Sequence, residues 1–247
     1  MLDLLDSLRS ALQHELAVSG PLVPMPAAPT RAQPPPRTFP ERMDALLPAG
    51  SPLAHMATLG EIAAWVERTP LIDIDRTRTR AVAGHGKADA DLVVIGEAPG
   101  LDEDRTGKPF VGRAGLLLTK ILAAIHIDRE DIFITNILKS RPPSNRRPEQ
   151  HEMSAHLPIL YRQLALIRPC LLLALGKTAG TGLLGLKTSL SGMRGRFHDF
   201  HGLPCMVTYH PAALLRHPNW KKPTWEDVQR LRNRYDELTE CPTATHV

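Results

Sequence analysis

Three side chains of different chemistry stand at the ends of apolar runs in this chain. Glu97 follows the run Leu92–Gly96, Asn136 lies in the run Ile132–Leu138, and His210 follows the run Cys205–Tyr209. A fourth run, Leu171–Gly176, leads into Lys177. Ligands of open parallel sheets bind beyond the carboxyl ends of the strands. A carboxylate, an amide and an imidazole are therefore expected on one rim, a set suited to acid–base work and to hydrogen-bonding a polar ligand. Each alone is equally a helix or turn cap; their recurrence at successive exits favours a site.

Three loops enrich that rim. GEAPGLDEDRTGKPFVGRAG (residues 96–115) has glycines where tight turns and close backbone approach are needed. It carries Phe110, which reads either as core or as a platform for a planar ring. A glycine-rich loop before a helix suits phosphate, but neither GxGxxG nor GxxxxGK[ST] occurs, which argues against a nucleotide cofactor. SRPPSNRRP (140–148) is stiffened by proline and presents Arg141, Asn145, Arg146 and Arg147. These arginines are solvated surface or a grip on phosphates. HPAALLRHP (210–218) sets Leu214, Leu215 and Arg216 after the imidazole. The leucines read as a wedge into a base stack or as a short helix packed inward.

The elements that must position these groups follow from periodicity. Buried apolar runs alternate with helical stretches at about 58–67, 113–125, 148–167, 177–185 and 224–239. This predicts an α/β fold, a three-layer α/β/α sandwich around a central four-stranded parallel sheet. Leu2, Leu5, Leu8, Leu12 and Leu16 predict a helix over 2–17, and the proline-rich stretch from about 19 to 50 predicts a linker or an extended wrapping segment. The expected organisation is an extension over 1–57, a domain over 58–240 and a tail over 241–247.

The charge of +4 mildly favours a polyanionic partner. Cys170, Cys205 and Cys241 show neither disulfide nor metal-site spacing, which fits a reducing interior. No run of 18 apolar residues occurs and the N-terminus lacks a signal-peptide core, so a cytoplasmic protein is expected.

Over about residues 58–240 the motifs GEAPGLDEDRTGKPFVGRAG, TNILKSRPPSNRRP, LALGKTA and TYHPAALLRHP resemble, in order and spacing, the uracil-DNA glycosylase superfamily, most closely its family 4. The resemblance implies a base-excision repair enzyme that flips uracil out of DNA and hydrolyses its N-glycosidic bond. It places His210 as donor to the uracil O2, Asn136 on the uracil edge and Phe110 under the ring, with Ala98 beside it. Glu97 would position or activate water, Glu103 would crowd the uracil C5, and Asp104, next to Glu103, would share the water role. Arg141, Asn145, Arg146, Leu214, Leu215 and Arg216 would hold the DNA. The expected partner is uracil-containing DNA, with no membrane, bound by a monomer. No histidine-bearing insertion follows the asparagine strand, so turnover is expected rather than covalent trapping.

Family 4 holds a [4Fe–4S] cluster on four cysteines. The matching positions here are Thr69, Ile72, Ser140 and His156, and none is a thiolate. The expectation is a domain without its cluster, needing no cofactor, with Ile72 supplying packing instead. His85, His151 and His156 read as ordinary histidines rather than zinc ligands. The competing reading is a catalytically inactive module of the same fold that binds DNA or damaged bases.

Overall fold

The computed structural model describes residues 38–240. The helix expected over 2–17, the first half of the proline-rich stretch and the tail lie outside the described residues.

Along the chain come helices α1 (Phe39–Asp44), α2 (Leu59–Arg68) and α3 (Asp73–Thr77), then strands β1 (His85–Gly86) and β2 (Leu92–Gly96). Helices α4 (Leu101–Thr106) and α5 (Arg113–Ala124) lead to β3 (Phe133–Asn136), α6 (Gln150–Ile167) and β4 (Leu171–Leu175). The chain closes with α7 (Gly176–Leu184), α8 (Leu190–Met193), β5 (Phe197–Phe200), β6 (Leu203–Thr208), α9 (Pro211–Arg216) and α10 (Lys221–Glu240).

The strands form one sheet in the order β1-β3-β2-β4-β6-β5. The four expected strands are its parallel centre, β3, β2, β4 and β6. Two antiparallel edges, β1 and β5, were not foreseen, so the sheet has six strands rather than four. The reason lies in their residues. His85–Gly86 is two exposed residues, and Phe197-His198-Asp199-Phe200 carries polar groups where a buried run would be apolar. β5 and β6 join through His201 and Gly202, both with positive φ (51° and 91°), as a tight hairpin turn needs.

Alternation along the strands builds two apolar layers. Val93, Ile95, Leu172 and Ala174 face a core shared with Leu160 and Leu164 of α6 and Leu183 of α7. Leu92, Val94 and Leu173 face Leu118 and Leu122 of α5 and Val228 and Leu231 of α10. The arrangement is the expected α/β/α sandwich. Its start is earlier than residue 58: within the supposed linker, α1 buries Met43 in the first core, and Arg162 of α6 donates to Asp44 at 2.8 Å. From β2 the chain crosses to β3, and from β4 to β6 on the other side. The crevice beyond these carboxyl ends is where such a sheet accepts a ligand.

Candidate active site

That crevice is a cavity of about 490 Å³, lined from β2 by Glu97, Ala98 and Gly100, from β3 by Asn136 and from the end of β6 by His210. Glu103, Phe110, Asn145, Arg146, Arg147 and Arg216 complete its wall. Its size suits a nucleobase with part of a sugar.

The last residue of β2 has to be glycine. A Cβ on Gly96 would lie 2.3 Å from Asn136 Oδ1 and 2.6 Å from the Phe110 ring, so the amide and the ring close over bare backbone. Asn136 is buried, and its Oδ1 has no hydrogen-bond partner among the described residues. An unsatisfied buried acceptor costs about 1–3 kcal/mol. It also reaches a wall of an open cavity, where a ligand N–H can satisfy it.

Phe110 is buried with φ 53°, a left-handed conformation that non-glycine residues seldom adopt. Glu103 holds it there. One carboxylate oxygen accepts from the Val111 and Gly112 N–H groups (2.9 and 3.0 Å), and the other from Gly100 N–H (3.1 Å). Arg129 adds a bond from Nη2 to the Pro109 carbonyl at 2.8 Å. A Cβ on Gly115 would strike the Phe110 carbonyl at 1.8 Å, so the start of α5 is also shaped around this residue.

His210 caps the N-terminus of α9. Its Nδ1 accepts from Ala212 N–H at 3.2 Å, so the ring proton sits on Nε2. Burial, with Arg216 nearby, lowers its pKa to about 4. The imidazole is thus neutral at physiological pH and a donor through Nε2–H. Its ring lies 5.5 Å from that of Phe110, and its Cβ is 3.2 Å from the Cβ position of Gly176 at the end of β4. The Glu97 carboxylate takes part in no hydrogen bond or ion pair with the described residues, which leaves it available to water.

The expected site residues divide. Glu97, Ala98, Glu103, Phe110, Asn136 and His210 meet in one cavity. Asp104 is turned away: it is buried, and its Oδ1 accepts from Thr79 N–H at 2.9 Å. Of the residues expected to hold DNA, Arg216 is exposed and Leu215 is 44% exposed, but Leu214 is 2% exposed and packs inward. The supposed two-leucine wedge therefore has one leucine, because a short helix forms. Arg146 is fixed by two bonds to the buried Glu152 (2.6 and 2.9 Å), and Arg141 Nε donates to Asn145 Oδ1 at 2.7 Å. The arginine ridge is thus partly occupied with its own scaffold. Glu152, Arg129 and Lys139 were not foreseen; a lysine in the otherwise apolar ILK run was the one legible sign.

The positions matched to cluster ligands hold a buried polar network. His156 Nδ1 accepts from Lys139 N–H at 2.9 Å, so its Nε2–H donates to Asp75 at 3.2 Å. Ser140 Oγ donates to the same carboxylate, and Arg78 Nη1 donates to Ser140 Oγ at 2.9 Å while pairing with Asp75 at 3.3 Å. Bonds from His156 and Ser140 outweigh desolvation and hold the Asp75 carboxyl well below the usual range. Thr69 ends α2, and Ile72 packs against the core.

Comparison with known proteins gives the relationship. The Type-4 uracil-DNA glycosylase of Archaeoglobus fulgidus is 38% identical over 184 residues, 71% of this chain and 92% of the relative. That of Saccharolobus solfataricus is 41% identical over 186 residues, 72% of this chain and 86% of the relative. That of Thermotoga maritima is 38% identical over 172 residues, 68% and 90% of the two chains. These relatives correct the expectation that no cofactor belongs here, because type-4 enzymes are known to bind an iron–sulfur cluster. The four matched positions do not fit that group: Ser140 and His156 are committed to Asp75, and none of the four is a thiolate. With the family model for the Uracil DNA glycosylase superfamily matching residues 83–229, the chain belongs to that superfamily.

Proposed function

We propose that this protein is a DNA-repair hydrolase that excises uracil from DNA, using the cavity beyond β2, β3 and β6. The observation that carries this reading is the buried, unpartnered Asn136 Oδ1 beside the Phe110 ring and the neutral His210 donor.

An everted uracil would stack on Phe110. Its N3–H would satisfy Asn136 Oδ1 while the Asn136 amide N–H donates to O4. Cytosine, with an acceptor at N3 and a donor at C4, mismatches both. As the C1′–N1 bond breaks, its electron pair passes into the base. His210 Nε2–H would then meet the charge developing on O2, and such preorganised donors typically supply about 10²–10³ in rate. Glu97 would orient the water whose oxygen bonds to C1′, receiving or relaying its proton. Glu103, fixed by three amides, would be unable to swing away from a C5 methyl group. Arg147, Arg216 and Leu215 would contact the DNA, with Asn145 and Arg146 shaping the adjoining loop.

The protein would act as a monomer on uracil-containing DNA in the cytoplasm; among the described residues no helix is long and apolar enough to cross a membrane. The test is incubation with a uracil-containing oligonucleotide followed by alkali. Strand scission by the wild type, and little by His210→Ala, supports the reading. Binding without scission contradicts it and favours the inactive module.

A further inference from the structure

Lys139 is one of the largest side chains sealed from solvent among the described residues. Its ammonium lies behind β3 with no carboxylate in reach among the described residues, an arrangement that is costly for a charge. Nζ donates to three groups: Thr135 Oγ1 at 2.7 Å, the Asn136 backbone carbonyl at 2.8 Å and Gln163 Oε1 at 2.8 Å. Thr135 Oγ1 directs its own proton to the Ala83 carbonyl at 2.8 Å, and Gln163 Nε2 donates to that same carbonyl at 2.8 Å. Toward Lys139 all three partners are therefore acceptors. Three acceptors around one nitrogen require three N–H bonds, which the ammonium form provides. Burial pushes the amine pKa well down; hydrogen bonds to acceptors favour the charged form and act against that push.

The placement of this cation is informative. If only bulk were needed, an apolar side chain would fill the space without desolvating a charge. The ammonium grips the carbonyl of the one β3 residue whose side chain reaches the cavity. On the other edge Asn136 pairs with Gly96, and Ile137 N–H donates to the Gly96 carbonyl at 2.9 Å. Asn136 is thus held from both sides while its Oδ1 is left unbonded. Charge-assisted bonds are about twice as strong as neutral ones and fix geometry accordingly.

We propose that Lys139 is a positioning residue for base recognition, locking the Asn136 backbone so that its side-chain amide meets the uracil edge already in place. This rests on the reading that the cavity takes uracil. Lys139 touches no substrate atom and acts through Asn136.

The test is a double-mutant cycle of Lys139→Met and Asn136→Ala on uracil-containing DNA, with kcat, KM and inhibition by free uracil measured for each. Lys139→Met is expected to lower kcat on the order of 100-fold, the scale of a roughly 1 Å misplacement. It should weaken inhibition by free uracil and leave KM within about twofold, since phosphate contacts dominate DNA affinity. In the Asn136→Ala background it should change kcat by no more than about twofold, because the interaction it serves is already gone. Equal losses in both backgrounds would overturn the proposal and mark Lys139 as structural only. Should Lys139→Met not fold, Gln163→Leu, which removes one acceptor and keeps the lysine, is carried through the same cycle and read the same way. No scission by the wild type would overturn the underlying reading as well; scission with additive losses would overturn this proposal alone.

Discussion

The rings of Phe110 and His210 stand 5.5 Å apart, tilted by 31°, although 100 residues of chain separate them. One comes from the loop after β2 and the other from the end of β6, and β4, the single strand between β2 and β6, sets the spacing. Both residues line the same cavity. The side chains are held by backbone: Glu103 fixes the Phe110 loop, and Ala212 N–H fixes the His210 tautomer.

His210 gives a pH prediction. With its pKa lowered to about 4, the imidazole stays neutral as pH falls through the range where a free histidine titrates. Single-turnover excision should show no histidine limb between pH 8 and about pH 5. Protonation near pH 4 then removes the Nδ1 acceptor from Ala212 and the rate falls. His210→Ala should lose about 10²–10³ in rate. A rate that declines with an apparent pKa near 6.5, and does so only when His210 is present, would contradict the assignment.

Gly96→Ala tests how closely the site is built. The new methyl would meet both Asn136 Oδ1 and the Phe110 ring at under 3 Å. Overpacking of this kind costs about 1–3 kcal/mol. Thermal denaturation should show that loss, and excision should fall on the order of 100-fold because both recognition groups shift. Wild-type kcat in this variant would show that the two groups do not share one ligand.

Glu103→Gln keeps the shape but leaves one acceptor oxygen where three amides are now served. At least one part-buried N–H then loses its partner, at about 1 kcal/mol. The loop carrying Phe110, whose left-handed backbone itself costs on the order of 1–3 kcal/mol, should loosen. Hydrogen exchange of the Val111 and Gly112 amides should quicken. Unchanged protection would mean the carboxylate does not hold the loop.

The Asp75 network sets acid stability. Its carboxyl is held below the ordinary value, so its contribution is fully present above about pH 4 and is lost as pH falls through that value and below. The wild-type Tm should therefore drop more steeply below pH 4 than that of Asp75→Asn. At neutral pH Asp75→Ala, which leaves Arg78 buried without its partner, should cost about 3–5 kcal/mol. Equal acid slopes for wild type and Asp75→Asn would exclude the network as the cause.

Two arginines on the rim should behave differently. Arg216 is exposed, so Arg216→Ala should weaken DNA binding and reduce the salt slope by about 1. Arg146 is bound by Glu152, so Arg146→Ala should lower Tm with little change in the salt slope. Fluorescence anisotropy at several salt concentrations separates the two, and equal salt slopes would contradict the distinction.

Much of this was legible in the sequence because parallel strands are buried on both faces. LVVIG and LLLAL are apolar without interruption, and the residues after such runs fall on one rim whatever the details of the helices. Glu97, Asn136 and His210 were found that way. What stayed hidden depended on partners distant in sequence. Asp104 and Glu103 are neighbours of like type, yet the Thr79 N–H holds one away from the cavity and three amides fix the other. The ridge arginine Arg146 looked free because its partner Glu152 lies on the next helix. α1 was masked by flanking prolines, since periodicity is weak over six residues. The cofactor expectation is corrected from outside the chain: its four matched positions carry no thiolate, while its type-4 relatives belong to enzymes known to bind an iron–sulfur cluster.

The central claim is that Asn136, Phe110 and His210 read and release one everted uracil. It is tested most directly by quantifying free base released from oligonucleotides that differ only in carrying uracil, cytosine or thymine at one position. The wild type should release uracil and leave cytosine and thymine in place, and Asn136→Ala should lose most of that release while remaining folded. Release of all three bases alike, or of none, or undiminished uracil release by Asn136→Ala, would contradict it.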